Sequence, residues 1–321
     1  MNVVIMAAGK GTRMKSAKPK VLHEIGGRSL LQHVLATASG VGASRTVVVT
    51  GHGADAVGPV AEAAGARCVL QMPQLGTGHA MQQAVPALDG AQPATLVLYG
   101  DVPLLRADTA RALAAACGGE RLALLTFRPA DPARYGRIVR DAQGRVRAIV
   151  EYKDASPEQR AIGEVYSGIM AAPTAALTRW VAALRNDNAQ GEYYLTDVPK
   201  LLLADGARVE VIDAVPPEDI LSINTPEELS RVDGIGLVRG QIDVRRAELR
   251  KHDVNAARVI GGKLPRPVPL HQVHANRGRA RIRIEREALH QRRRGRAVRR
   301  GHAVEPSARR SVCRATLLIA A

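Results

Sequence analysis

Hydrophobic positions along the first two thirds of the chain fall into blocks of two kinds. The first is nearly continuous: residues 3–6, 46–50, 68–70, 96–99 and 122–127 are short runs dominated by Val and Leu. Such runs are expected of strands covered on both faces. Residues 147–150, 167–171 and 209–212 are further strand candidates. The second kind is periodic. Leu30, Leu31, Val34, Leu35 and Ala38 recur at i, i+3 and i+4, which predicts a helix burying one stripe. Residues 78–88 and 109–117 repeat that pattern, and Thr225-Pro226-Glu227-Glu228 reads as a helix start with Pro at the first helical position. Strand–helix alternation at this spacing predicts an α/β fold: a doubly wound, mostly parallel, Rossmann-like sheet. Ligands then bind outside the carboxyl ends of the strands.

The pattern stops near residue 236, and the charge changes there too. Residues 1–236 hold 24 Lys and Arg against 24 Asp and Glu, whereas residues 237–321 hold 22 against 6. The whole net charge of +16 therefore lies in a segment with no Phe, Trp or Tyr. Such a segment buries too little apolar surface to offset its ordering entropy. We read a domain over 1–232, a linker helix over 233–251 and a basic, largely disordered tail over 252–321. The tail's Arg-, Ala-, Gly- and Pro-rich composition suits a shifted reading frame of a GC-rich gene; the alternative is a tail that binds nucleic acid non-specifically. No six-residue repeat is visible. No run of about 18 apolar residues predicts a membrane span, and the N-terminus lacks the basic region of a signal peptide. Cys68, Cys117 and Cys313 are far apart, which fits a reducing cytoplasm rather than a disulfide framework.

Candidate chemistry clusters where strands end. After the first strand comes Ala7-Ala8-Gly9-Lys10-Gly11-Thr12-Arg13-Met14, followed by Pro19-Lys20. Small residues there let backbone N–H groups approach a phosphate or base, with Arg13 and Lys20 adding cations. The segment is neither a Walker A loop nor the dinucleotide fingerprint, because Met14 stands at the third glycine's place. Asp101, in Tyr99-Gly100-Asp101-Val102-Pro103, reads equally as a Mg²⁺ ligand or as a cap of the next helix. Gln71 to Ala80 is a polar, glycine-rich turn into a helix, suited to a base edge or an anion; its His79 reads as a helix-start or packing residue rather than a catalyst. Gly51-His52-Gly53-Ala54-Asp55-Ala56 imitates a dinucleotide motif, but no acidic residue stands where one is needed, so it reads as a tight turn. The polar stretch 186–197, with Tyr193 and Tyr194, suggests a sugar or interface surface. Asn224 is free to offer an oxygen ligand.

Taken together, these segments resemble the sugar-1-phosphate nucleotidyltransferases. AAGKGTRM (7–14) with PKVLH (19–23) is the general signature; QLGTGHA (74–80), YGDVPL (99–104), YGRIVR (135–140), IVEYKDA (149–155) and NDNAQGEYYLTD (186–197) narrow it to the uridyltransferase domain of the bacterial GlmU family. The resemblance covers roughly 1–232. It implies a GT-A-like fold and transfer of a uridylyl group from UTP to N-acetyl-α-D-glucosamine 1-phosphate, giving UDP-N-acetylglucosamine and pyrophosphate. It further implies that Ala7, Ala8 and Gly9 contact uridine while Gln71, Gly76 and Thr77 read uracil. Arg13 and Lys20 would carry the phosphate charge and act catalytically. Tyr99, Gly100, Gly136, Glu151 and the residue at Tyr166 would line the sugar site, and Asp101 and Asn224 would bind Mg²⁺. Three departures stand out: Tyr166 occupies a position the family usually gives to Asn, Ser222-Ile223-Asn224 departs from the family's Gly-Val-Asn, and the hexapeptide-repeat acetyltransferase domain is not seen. Acetyl transfer and the family's trimer are accordingly not expected. A sister reading, a different sugar phosphate or base, rests on Tyr166.

Overall fold

β1 (Asn2–Met6) is buried along its whole length, so other elements must cover both its faces. A two-residue hairpin, β2 (Glu24–Ile25) and β3 (Arg28–Ser29), leads into α1 (Leu30–Gly40). Ser29 caps α1: its hydroxyl accepts the Gln32 N–H, and the Gln32 side chain accepts the Ser29 N–H. Then follow β4 (Arg45–Thr50), α2 (Ala54–Glu62), β5 (Arg67–Leu70), α3 (Thr77–Ala84), β6 (Ala94–Tyr99), α4 (Ala107–Cys117) and β7 (Leu122–Phe127). Next are a hairpin of β8 (Arg137–Arg140) and β9 (Val146–Val150), the single turn α5 (Pro157–Arg160), and β10 (Val165–Pro173). The chain continues through α6 (Thr174–Ala182), α7 (Val198–Ala204), β11 (Val209–Asp213) and α8 (Pro226–Val238). This computed structural model describes residues 1–238 apart from 133, 134, 207 and 215. The expected tail, and all of the expected linker helix beyond its first turns, lie outside the described residues; α8 itself runs across position 232.

The main sheet has the order β11-β7-β10-β6-β1-β4-β5. β1 pairs in parallel with β4 and β6, β4 with β5, and β7 with β11. Along this path the doubly wound, mostly parallel expectation holds, with one strand reversed: β10 is antiparallel to both β6 and β7, and the β8–β9 hairpin joins the same sheet through an antiparallel pairing of β8 with β10. β10 follows the β8–β9 hairpin, and antiparallel neighbours need no crossover helix. One face of the sheet packs on α1, α2 and α4 through Leu31, Val34, Val57, Leu113 and Cys117. The other packs on α3, α6 and α7 through Met81, Leu177, Trp180 and Leu202. Fully buried Leu96, Leu98, Leu124 and Phe127 each contribute about 1.5–3 kcal/mol of burial. A third, smaller cluster of Met14, Ile25, Leu30, Leu104, Ile223 and Val232 ties the loop after β1 to the β2–β3 hairpin and to α8. Among the described residues, no helix is long and apolar enough to cross a membrane.

Candidate functional site

The chain runs from β1 outward to β4 and β5, then returns to place β6 on the other side of β1. That reversal opens a crevice at the strands' carboxyl ends. Met6 is in register with both Val49 and Tyr99, and the Gly100 N–H donates to Met6 O at 2.9 Å. A cleft of about 910 Å³ lies there, lined by Ala7, Ala8, Gly9, Lys20, Gln71, Gly76, Thr77, Tyr99 and Asp101 among others. Nine of the residues expected from sequence therefore share one cavity.

A compact cationic centre closes one side of the cleft. Lys20 Nζ donates to Asp101 Oδ2 at 2.6 Å and to Asn224 Oδ1 at 3.1 Å; Arg13 Nη2 donates to the same Asn224 oxygen at 3.0 Å. The loop needs Gly11 to reach this arrangement: φ is +61°, and a Cβ there would lie 2.6 Å from Lys20 Cβ. Asn224 is fixed in turn. Its N–H donates to Glu228 Oε2, its Nδ2 to Ser222 Oγ, and the Ile223 N–H to Asp101 O. Asp101 does not cap α4, whose N-cap residue is Arg106 with no side-chain cap bond; its carboxylate is instead paired with the Lys20 ammonium. A carboxylate oxygen and an amide oxygen converge on one cation, with the Lys20 ammonium standing between them. Two hard oxygen donors so placed suit a divalent cation that completes its shell with phosphate oxygens and water. Among the described residues, no group of three or more His, Cys, Asp or Glu could hold a metal by itself.

The opposite wall is built by the segment before α3. Gln71 is buried; its Nε2 donates to Gly76 O at 2.9 Å and lies 3.3 Å from His79 Nδ1. Gln74 Nε2 donates to Ala8 O at 2.6 Å, and the His52 N–H donates to the same carbonyl at 3.2 Å. Of the expected turn over 51–56, Gly51-His52-Gly53 is a turn while residues 54–56 already open α2, and the turn also lines the cleft. Sequence reasoning assigned neither Gln74 nor His52 to the site; the signal available was their place beside motif residues. Tyr193 clasps the start of α3: its N–H donates to Leu75 O and its O accepts from the Gly78 N–H. Thr77 Oγ1 accepts the Leu195 N–H. The stretch 186–197 thus works partly as a brace, and its Tyr194 is buried rather than displayed.

The remaining expected residues gather beyond Tyr99. Tyr166 is buried; its hydroxyl donates to Gly168 O at 2.7 Å and its N–H to Gly136 O at 2.9 Å. The phenol is therefore satisfied inside the protein. Gly168, at φ +92°, lies under the Tyr99 ring, where a Cβ would come within 2.9 Å of it. Burial, then the charges of Glu151 and Asp101, push the Tyr99 hydroxyl up. Burial likewise raises Tyr166, with Tyr99 and Glu151 adding to it. Burial also raises the Glu151 carboxyl, opposed by the Thr196 hydroxyl, which donates to Glu151 Oε1 at 3.0 Å; Asp154, Asp197 and Glu192 reinforce the rise. Glu151 and Thr196 border a second pocket of about 160 Å³. Gly100, Gly136, Glu151, Tyr166, Arg13 and Asn224 stand outside the lining of the main cleft.

The MobA-like NTP transferase domain matches residues 3–193. The chain belongs to that family. It is 58% identical over 237 residues to "Bifunctional protein GlmU" of Methylibium petroleiphilum, covering 72% of this chain and 51% of that protein. The protein of the same name from Paracidovorax citrulli is 57% identical, with 73% and 50% covered; that from Burkholderia vietnamiensis is 53% identical, with 73% and 52% covered. The chain spans about half the length of these curated relatives. Its fold is shared with a nucleotidyl transferase from Methanothermobacter thermautotroptrophicus at a TM-score of 0.53 and 20% identity, covering 74% of this chain and 98% of that one. Family and relatives together make this a nucleotidyltransferase related to GlmU.

Proposed function

We propose that the domain transfers a uridylyl group from UTP to N-acetyl-α-D-glucosamine 1-phosphate, releasing pyrophosphate. The observation that carries this reading is the convergence of Lys20, Asp101, Asn224 and Arg13 at the edge of a cleft built from the expected nucleotide residues. A sugar-phosphate oxygen attacks the α-phosphorus of UTP; the new P–O bond forms as the bond to the β-phosphate oxygen breaks, and pyrophosphate leaves. The attacking oxygen is already anionic, so no general base is needed. Ala7, Ala8 and Gly9 offer backbone to the nucleoside, and Gln71, Gly76 and Thr77 face the base. Lys20 and Arg13 neutralise the charge that builds on the departing phosphates, so catalysis is positioning plus electrostatics. Asp101 and Asn224 would hold Mg²⁺, which when bound would neutralise phosphate charge at the same point. Glu151 and the backbone of Gly136 and Gly100 would receive the sugar, with Tyr99 as its wall and Tyr166 behind them.

Tyr166 keeps its hydroxyl on Gly168 O, so it would shape the sugar pocket by bulk instead of by a hydrogen bond. Turnover measured with N-acetylglucosamine 1-phosphate beside glucose 1-phosphate, and with UTP beside dTTP and CTP, tests the assignment. The first member of each set is expected to win by at least about tenfold. A preference for another sugar or base would replace this reading with its sister.

A further inference from the structure

His79 sits one residue inside the wall that would read the base, and both of its ring nitrogens face glutamine amides. Nδ1 lies 3.3 Å from Gln71 Nε2, and Nε2 lies 3.2 Å from Gln83 Nε2. With the Gln83 amide turned end for end, one arrangement of protons satisfies every contact along this chain. Gly76 O can only accept, so the Gln71 atom 2.9 Å away must be its NH₂. That nitrogen has a second proton, which points to His79 Nδ1. Nδ1 must then be the unprotonated, accepting nitrogen of a neutral imidazole, and Nε2 carries the ring proton. Gln83 completes the chain by turning its amide oxygen to Nε2–H; amide ends are interchangeable in shape, and hydrogen bonding decides between them.

The consequence falls on Gln71. Both of its N–H bonds are spent inside the protein, whereas among the described residues its Oε1 receives no hydrogen bond. Gln71 lines the cleft, so the group it has left for a ligand is a fixed acceptor. An acceptor pairs with the ring N3–H of uracil. Cytosine has a bare lone pair at N3, which would meet the acceptor head-on. Turning the Gln71 amide over to suit cytosine would set its oxygen against Gly76 O and against the His79 Nδ1 lone pair.

We propose that His79, backed by Gln83, is a positioning residue that locks the Gln71 amide with its oxygen toward the ligand and so selects a base bearing an N–H at that edge. The proposal rests on the reading of Gln71 as a base-facing residue but not on the sugar reaction.

Equilibrium binding of UTP and of CTP to the full chain, measured by titration calorimetry, tests it. The wild type binds UTP more tightly than CTP. His79→Leu removes one of the two bonds that fix the amide, and the UTP-to-CTP affinity ratio falls roughly tenfold, the value of one hydrogen bond. His79→Asn, whose side-chain oxygen can replace Nδ1 as acceptor, restores most of the ratio. In turnover, His79→Leu raises KM for UTP while kcat stays within about twofold, a split that a loss of general folding would not give. A His79→Leu protein that is folded by circular dichroism and keeps the wild-type ratio overturns the proposal. A wild type without preference for UTP over CTP overturns it together with the base reading of Gln71. Retained base preference in a protein inert toward N-acetylglucosamine 1-phosphate supports it while removing the sugar assignment.

Discussion

Gly11→Ala removes no functional group, yet it should damage the site more than many side-chain deletions. Position 11 has φ +61°, a left-handed conformation that costs an L residue about 1–2 kcal/mol. At about 2–4 °C per kcal/mol for a domain of this size, Tm should fall by about 2–8 °C. The larger effect is local. The new Cβ would lie 2.6 Å from Lys20 Cβ, whereas ordinary contact begins near 3.4 Å, so Lys20 must withdraw by about 0.8 Å. Its ammonium now bridges Asp101 at 2.6 Å and Asn224 at 3.1 Å; a displacement of that size breaks the bridge. Misplacing a catalytic group by about 1 Å costs on the order of 10²-fold, and kcat/KM for pyrophosphate release should fall by about that factor. Gly9→Ala is the control for stability, because a Cβ at position 9 meets nothing within 4 Å and Tm should not change. A Gly11→Ala protein with wild-type Tm and kcat/KM would show that position 11 does not set the place of Lys20.

Two further predictions concern pH. As the proposed acceptor of a sugar hydroxyl, Glu151 works best ionised, and the Thr196 hydroxyl holds its carboxyl down against burial and three neighbouring acids. In Thr196→Val the acid limb of the kcat/KM profile for sugar phosphate should move to higher pH, with the alkaline side unchanged; an unmoved limb would remove Glu151 from sugar binding. His33 is buried against Ile25 O, and burial is the main cause that lowers its pKa from 6.5, with Arg28 adding to it. Below pH 6.5 the unfolded chain takes up a proton that the folded state resists, so stability falls as pH drops through that value and is unaffected above it. Urea midpoints from pH 7.5 to 5 should show this decline, and a neutral His33→Gln variant should flatten it.

The strands of the central sheet were legible because residues buried on both faces leave continuous apolar runs, as in β1, β4, β6 and β7. α1 was legible because its stripe is regular. α2 was not read as a helix: Ala54–Glu62 is built from Ala, Gly, Val and an internal Pro59, with no large apolar stripe. The β2–β3 hairpin is two residues a side, below the length at which alternation can be seen. The reversed direction of β10 depends on which gap in the sheet it fills, and residue pattern carries no such information. At the site, the loop residues announced themselves by composition. That Arg13 and Lys20 meet Asn224, more than 200 positions away, follows only from the packing of α8 on the β2–β3 hairpin, and the resemblance, rather than spacing, pointed to it. His79 and Gln83 are visible as an i, i+4 pair on one helix face; their link to Gln71 is not.

Asp101, Asn224, Lys20 and Arg13 make up the proposed uridylyl-transfer centre. It is tested most directly by incubating the full chain with Mg²⁺, UTP and N-acetylglucosamine 1-phosphate and quantifying UDP-N-acetylglucosamine and pyrophosphate together, beside Asp101→Ala. The two products are expected in equal amounts, with a rate at least about 10²-fold lower in a folded Asp101→Ala protein. No product from folded wild-type protein, or a rate that Asp101→Ala leaves unchanged, would contradict this assignment.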